Sequence, residues 1–261
     1  MKMLAVVGSG RKNGNTAGIV SLLETALKGL AQEQRVTVDF ETVFLSDLRL
    51  KQCLGCRICF DRGIEHCPLD DGLIDLYQRI SQTDFLLFSS PVYVEDVSGM
   101  MKTFIDRLAF VCHCPAFTEM SGYALMTYGA TATNHTLRTM SLAMRTWGVH
   151  VVGQQGFFGG ARSTPVELHQ LHHQKIHTMA KTIFRALDKK TYKQPDFLSL
   201  MMFATQQATW LKTNEEDIDL AYWREKGWLD PQVTYYFPHQ AGWLKTRTAR
   251  LTGKVIAKFV Q

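Results

Sequence analysis

Strand-like and helix-like segments alternate from the first residues onward, and this alternation constrains the fold more than any other feature. Residues 4–7 form a short apolar run that stops at Gly8. Residues 16–30 then place Ile19, Leu22, Leu23, Ala26, Leu27 and Leu30 on one helical face. Residues 36–45 alternate Val38, Phe40, Thr42 and Phe44 with Asp39, Glu41 and Val43, the period of a strand. Helices are expected at 72–80, 99–110 and 135–147, and strands at 85–89, 124–127 and 149–154. Thr164-Pro165-Val166-Glu167 has the form of a capping box with proline in the first turn, opening a helix to about residue 187. Five such β/α units require a parallel sheet with helices on both faces.

Five strands of this kind suit a flavodoxin-like, doubly wound α/β fold with strand order 2-1-3-4-5. Ligands then sit at the carboxyl ends of the strands, near the switch point between strands 1 and 3. After about residue 190 the pattern changes. Residues 197–211 are apolar and rich in Met and Phe, and Thr213-Asn214-Glu215-Glu216 offers another capping box. The helix it opens passes Tyr222 and Trp223 and ends at Gly227, a residue suited to the left-handed position after a helix. Trp210, Trp223, Trp228 and Trp243 all fall in this region. The expected division is an α/β domain over 1–190 and a helical extension over 191–261.

The 261 residues, 46% apolar and 20% charged, have ordinary globular composition. A formal net charge of +5 over this length is too weak to point to nucleic acid, though it suits anionic ligands such as phosphates. No stretch of about twenty apolar residues is present to span a bilayer. The apolar run at the N-terminus leads directly into a strand and is too short for a signal peptide, so the expected compartment is the cytoplasm.

The first chemical motif follows strand 1: Gly8-Ser9-Gly10-Arg11-Lys12-Asn13-Gly14-Asn15-Thr16. A phosphate placed here meets the unpaired N–H groups and positive end of a helix. Ser9, Asn15 and Thr16 supply short donors, Arg11 and Lys12 supply charge, and Gly8, Gly10 and Gly14 permit close backbone approach. A plain glycine-rich turn with an Asn or Thr cap accounts for the same residues. Gly-Lys-[Ser/Thr] is absent, so this is not a Walker loop. Ser-x-Arg-x-x-Gly-Asn-Thr resembles the phosphate loop of the NADPH-dependent FMN reductase family.

Two further loops carry the same resemblance. Ser90-Pro91-Val92-Tyr93 follows strand 3, and Met101-Lys102-Thr103-Phe104-Ile105-Asp106-Arg107 lies in the next helix. Both match family patterns, and the resemblance implies that Pro91, Val92 and Tyr93 border the flavin ring. Lys102, Asp106 and Arg107 are more simply read as a surface ion-pair set at helical spacing. After strand 4, Thr127-Tyr128-Gly129-Ala130-Thr131-Ala132-Thr133 stands where the family has a small turn beside the flavin, with Thr133 a candidate helix cap. The resemblance therefore implies FMN held by Ser9, Arg11, Gly14, Asn15, Thr16, Pro91, Val92, Tyr93, Thr127, Tyr128 and Gly129.

Cys53, Cys56, Cys59 and Cys67 form the most specific chemical signature. Overlapping two-residue spacers let one turn aim three thiolates at one cluster, and the longer spacer lets Cys67 return to the same site. The segment, with Leu69-Asp70-Asp71 after it, resembles the compact cysteine motif of iron–sulfur flavoproteins, a branch of the same family carrying FMN and a [4Fe–4S] cluster. A cluster, unligated thiols and structural zinc remain three readings of it. Cys112 and Cys114 are read as packing or loop residues. The histidines at 169–177, with His172 and His173 adjacent, are read as a solvated helix face.

Two functions are expected. The first is an NAD(P)H oxidoreductase passing electrons through FMN to a quinone, a flavin or another small acceptor; the chemistry resides on the flavin, so no catalytic side chain is assigned. The second is an FMN/[4Fe–4S] protein relaying electrons to a redox partner without hydride transfer. The apolar extension needs burial, which suggests a homodimer or tetramer. No nucleic acid or membrane partner is expected.

Overall fold

The computed structural model describes residues 1–130, 134–161, 163–188, 193–213 and 217–259. Its centre is a parallel sheet of β1 (Lys2–Val7), β2 (Asp39–Phe44), β3 (Phe85–Tyr93), β5 (Ser121–Tyr128) and β6 (His150–Phe158), in spatial order β2-β1-β3-β5-β6. A two-residue strand, β4 (Asp96–Val97), folds back antiparallel on the end of β3. With β4 set aside, this is the 2-1-3-4-5 order read from the sequence. In register, Val7 lies opposite both Phe44 and Ser89, and Thr127 lies opposite Pro91 and Phe157. The carboxyl ends of β1, β3, β5 and β6 thus form one edge.

The helices follow as α1 (Asn15–Glu33), α2 (Leu45–Leu48), α3 (Ile58–Asp61), α4 (Leu73–Ser81), α5 (Gly99–Arg107), α6 (Asn134–Thr146) and α7 (Pro165–Leu187). One apolar layer joins Ile19, Leu23 and Leu27 of α1 with Ile176, Met179 and Ile183 of α7 and the Met3, Ala5, Phe85 and Leu87 side of the sheet. The other joins Leu76 of α4, Phe104 of α5 and Met140 of α6 with Leu4, Val6, Leu86 and Phe88. Alternate residues of β1 and β3 enter opposite layers, which is why these strands read as unbroken apolar runs. Val43 differs from expectation. The alternation groups it with polar residues, yet it is buried in the second layer while Phe40 and Phe44 pack on the first. The edge strand thus reaches both layers at its carboxyl end, while Asp39 and Glu41 stay exposed.

Local signals explain several helix boundaries. Thr164 accepts from the Glu167 N–H at 3.3 Å, and the Glu167 carboxylate accepts from the Thr164 N–H at 2.7 Å, completing the capping box at α7. The expected cap over 213–216 involves residues 214–216, which lie outside the described residues. The helix there starts later, with Asp217 accepting from the Leu220 N–H at 2.7 Å. Its end is as expected. Gly227, at φ +70°, donates to the Arg224 carbonyl, while the Trp228 N–H reaches the Trp223 carbonyl.

The extension contains α8 (Phe197–Trp210), α9 (Ile218–Glu225) and α10 (Trp243–Ile256). Leu200, Phe203, Trp223, Trp228, Tyr235 and Ala249 form its core, separate from both layers of the sheet. It docks on residues 112–115 through polar contacts. Trp223 Nε1 donates to the His113 carbonyl at 2.7 Å and the Tyr222 hydroxyl to the Pro115 carbonyl at 2.8 Å. Asp219 is buried between His113 Nδ1 at 2.7 Å and Cys114 Sγ at 3.1 Å. Cys112 Sγ donates to Thr146 Oγ1 at 3.3 Å, so both cysteines are packing residues. His172 corrects the reading of a solvated histidine face. His169, His173 and His177 are exposed, but His172 is buried, bonded through Nε2 to the Phe158 carbonyl at 2.6 Å and stacked edge-on against Phe157.

Gly253 sets how closely α10 meets α8. A Cβ there would lie 2.8 Å from both the Ala204 Cβ and the Met201 carbonyl oxygen. Gly253→Leu is predicted to destabilise the extension by about 1–3 kcal/mol through overpacking. Urea unfolding followed by tryptophan fluorescence checks this, and an unchanged midpoint would contradict the close packing.

Candidate functional site

The loops at the carboxyl edge enclose an open cleft of about 200 Å³. Ser9, Arg11, Asn15, Thr16, Pro91, Val92, Tyr93, Thr127, Tyr128 and Gly129 line it, together with Gly159 and Ala161. Of the residues assigned to FMN from the sequence, Gly14 alone lies outside the lining. Gly159 and Ala161 were missed because no motif marks the loop after β6. The signal was the general rule that every strand-to-helix loop of such a sheet reaches this edge. Residues 131–133, including the proposed Thr133 cap, lie outside the described residues.

Hydrogen bonds divide the loop residues into two groups. Ser9 Oγ accepts from the Arg11 N–H at 3.2 Å and shapes the loop. Asn15 Nδ2 donates to the Gly159 and Gly160 carbonyls, both at 2.9 Å, and so fastens the first loop to the last. The buried Thr16 and Thr127 hydroxyls lie 2.7 Å apart. Lys12 turns away to pair with Asp47 at 2.9 Å. This leaves the exposed Arg11 as the charged side chain lining the cleft. Gly14 caps α1 with no side-chain oxygen, so no cap occupies the first N–H groups of that helix. Ser98, missed from the sequence, locks the second loop. Its Oγ donates to the Gly8 carbonyl at 2.5 Å and accepts from the Met101 N–H at 3.2 Å. A Cβ on Gly8 would fall 2.9 Å from that same Oγ, so glycine is required for this close approach. Above the cleft, Val94 (φ +49°) and Glu95 (φ +68°) turn β3 into β4 in a left-handed conformation that β-branched valine adopts only under strain.

A second cavity, about 80 Å³ and mainly apolar, is lined by Cys53, Cys56, Cys59 and Cys67. Cys53 and Cys56 are exposed and Cys59 and Cys67 half-buried. Burial pushes the Cys59 thiol up, and the neighbouring Cys53, Cys67 and Cys56 push it further. Left-handed turns at Gly55 (φ +64°) and Arg57 (φ +63°) wrap the segment around the cavity. Among the described residues, no three His, Cys, Asp or Glu side chains converge closely enough to hold a single metal ion.

Under this segment lies Arg107, whose placement corrects the sequence reading. Lys102 and Asp106 do form the expected surface pair, at 2.5 Å. Arg107 instead is buried, 4% exposed. Its Nη1 and Nη2 reach the two Asp71 oxygens at 2.6 and 3.3 Å, Nη1 also donates to the Lys51 carbonyl at 2.9 Å, and Nη2 lies 3.7 Å from Cys67 Sγ. Asp71 accepts in turn from the Lys51 and Leu73 N–H groups at 2.9 and 3.2 Å. Both ends of the cysteine segment are thereby fixed to α5. Burial pushes the Asp71 carboxyl up, but Arg107 and the two N–H donors outweigh it and hold the group below its ordinary 3.8.

Comparison with known proteins places this geometry in a family. The NADPH-dependent FMN reductase family matches residues 1–163. An iron–sulfur flavoprotein from Archaeoglobus fulgidus is 28% identical over 232 residues, 88% of this chain and 100% of that protein. An iron–sulfur flavoprotein from Methanosarcina thermophila is 27% identical, covering 72% of this chain and 96% of its own. Among solved structures, an FMN-dependent NADH-azoreductase from Bacillus anthracis in complex with FMN superposes with a TM-score of 0.54 at 10% identity. The superposition covers 70% of this chain and all of that one, a likeness of fold.

Removing one partner of the buried pair leaves an uncompensated charge. Arg107→Met is predicted to cost about 3–5 kcal/mol, and Arg107→Met with Asp71→Leu to recover most of it. Because the folded Asp71 pKa lies below the unfolded value, the pair's contribution is present above pH 3.8 and is lost as pH falls through the lower folded value. Unfolding midpoints of the wild type and both variants, measured from pH 7 to pH 3, check the sign. A stability gap that stays constant over that range would contradict it.

Proposed function

Because the chain belongs to the NADPH-dependent FMN reductase family, we propose that it oxidises NADH or NADPH with FMN held in the carboxyl-edge cleft and reduces a small acceptor such as a quinone or a flavin. The observation that carries this reading is the convergence of the three loops on one cleft beside an uncapped helix N-terminus. FMN, when bound, supplies hydride acceptance and onward electron delivery. The residues suit it. The first turn of α1 offers free N–H groups and a positive dipole end to a phosphate, and Arg11 adds a full charge. Pro91, Val92 and Tyr93 on one side, with Thr127, Tyr128 and Gly129 on the other, would bound the ring. Ser98 and Asn15 hold these loops to one another before any ligand arrives. Tyr93, about half exposed, would leave the outer ring edge reachable by nicotinamide and acceptor.

A second reading, FMN with a [4Fe–4S] cluster relaying electrons to a redox partner, is favoured by one observation. All four cysteines of the motif line a single cavity. They are the residues that would hold a cluster, and Arg107 would donate to the Cys67 sulfur. A cluster there would supply one-electron transfer.

Anaerobically purified protein is expected to show a flavin spectrum and to oxidise NADH or NADPH with a quinone acceptor. Arg11→Ala is expected to weaken FMN binding about tenfold to a hundredfold, the worth of a charge-assisted contact to phosphate. Failure to bind added FMN would overturn the central reading. No turnover with either nicotinamide, together with rapid turnover by reduced ferredoxin and about four irons per chain, would transfer support to the second reading.

A further inference from the structure

The last helix has its apolar residues reversed. α10 packs on α8 through small buried residues, Ala249 and Gly253, with Ala257 just past its end. Apart from the half-buried Ile256, its large apolar side chains point the other way. Leu244, Leu251 and Val255 are 66, 58 and 54% exposed, and Phe259 beyond them is 82% exposed. At helical spacing Leu244, Leu251 and Val255 form one stripe on the side opposite Ala249 and Gly253, and Phe259 lies in the turn beyond the helix. Trp243, also exposed, lies beside the stripe with the Arg247 guanidinium 5.1 Å from its ring centre.

Charge is segregated onto the same element. Asp230 is the last acidic residue of the chain, and every Lys and Arg after it (Lys245, Arg247, Arg250, Lys254 and Lys258) lies on α10 or within two residues of its end. The whole chain has 29 Lys and Arg against 24 Asp and Glu, so these five account for the entire net charge of +5. The first 230 residues are formally neutral. Lys245 and Arg250 reach the Pro195 and Pro231 carbonyls, each at 2.7 Å, and so sit low on the flanks, whereas Arg247, Lys254 and Lys258 are exposed.

Against the expectation of no membrane partner, we propose that α10 docks this protein on the surface of an anionic lipid bilayer, its Leu244-Leu251-Val255 stripe and the following Phe259 entering the interface and its flanking cations meeting lipid phosphates. An outward apolar stripe bordered by Lys, Arg and an exposed Trp is what an interfacial helix requires. The long cationic side chains place their charges in the headgroup layer while their stems cover apolar surface. No helix among the described residues is long and apolar enough to cross a membrane. Charge also selects against self-pairing. Two copies joined through α10 would double the cations on facing helices that carry no carboxylate between them.

The test is co-sedimentation of the full chain with vesicles of phosphatidylcholine, with and without phosphatidylglycerol. Binding to the anionic vesicles is expected to be about tenfold tighter or more, and to weaken as salt is raised. Leu251→Asp with Val255→Asp, and separately Lys254→Glu with Lys258→Glu, are each expected to lower it at least about tenfold. Both are outward changes, and circular dichroism and FMN binding should match the wild type. Equal binding to neutral and anionic vesicles, or none to either, overturns the proposal. So does an oligomer in light scattering that the Leu251→Asp/Val255→Asp variant dissociates, which would assign the face to a second copy.

Discussion

All strands of the main sheet run the same way, so each strand-to-helix loop leaves at the same edge. Parallel pairing has that consequence whatever the loop sequences are. The functional cleft depends on it. Gly8, Pro91, Tyr128 and Gly159 are far apart in the chain, but register places them at the ends of neighbouring strands. The loops then need only be fixed to one another. Two side chains accomplish much of this: Ser98 reaches back to the Gly8 carbonyl, and Asn15 reaches across to Gly159 and Gly160. Both bonds join loops whose positions the sheet has already set, so little further entropy is lost in forming the cleft.

The cysteine segment solves a different problem. It is a long excursion between α2 and α4 with few apolar residues of its own, and its first two cysteines are exposed. Apolar burial cannot define its path. The Arg107–Asp71 pair does so, because Asp71 stands at the far end of the segment and Lys51, which both partners contact, stands at the near end. A buried ion pair contributes little net stability against an apolar equivalent, yet it is strict about geometry because any unmatched donor or charge is costly. A segment that presents four sulfurs to one cavity needs that strictness more than it needs stability.

The sequence made the sheet order, the motif loops and the helical extension legible because each depends on local pattern. Apolar period separates strand from helix, and glycine with short polar residues marks the strand-to-helix turns. Arg107 was not legible. Its spacing from Lys102 and Asp106 is that of a surface helix, and nothing local reveals that a segment far earlier in the chain folds over it. Val43 and His172 were misread for the same reason: a valine at the carboxyl end of the edge strand, and a histidine turned under the end of β6, are decided by what packs on them. The Asp217 cap was also missed, because Thr213 and Glu216 present a capping pattern of their own nearby. Residue type reported chemistry well, whereas burial required the three-dimensional fold.

The extension shows how composition can carry information that local pattern conceals. The sequence reading marked no helix over 243–256, and the character of α10 emerges from its contacts. Its inward face is Ala and Gly, which allow close approach to α8 but bury little area, and its Leu, Val and Phe residues face solvent. A helix needed solely to complete the extension's core would be more stable with that pattern turned around, since each large apolar side chain is worth about 1.5–3 kcal/mol when buried. Small residues inside and large ones outside fit a helix held to the protein by close contact and kept available on its other side. The excess positive charge of an otherwise neutral chain, gathered on that same helix, gives the available side a sign. Packing and charge are independent features of the sequence, and both point outward from α10.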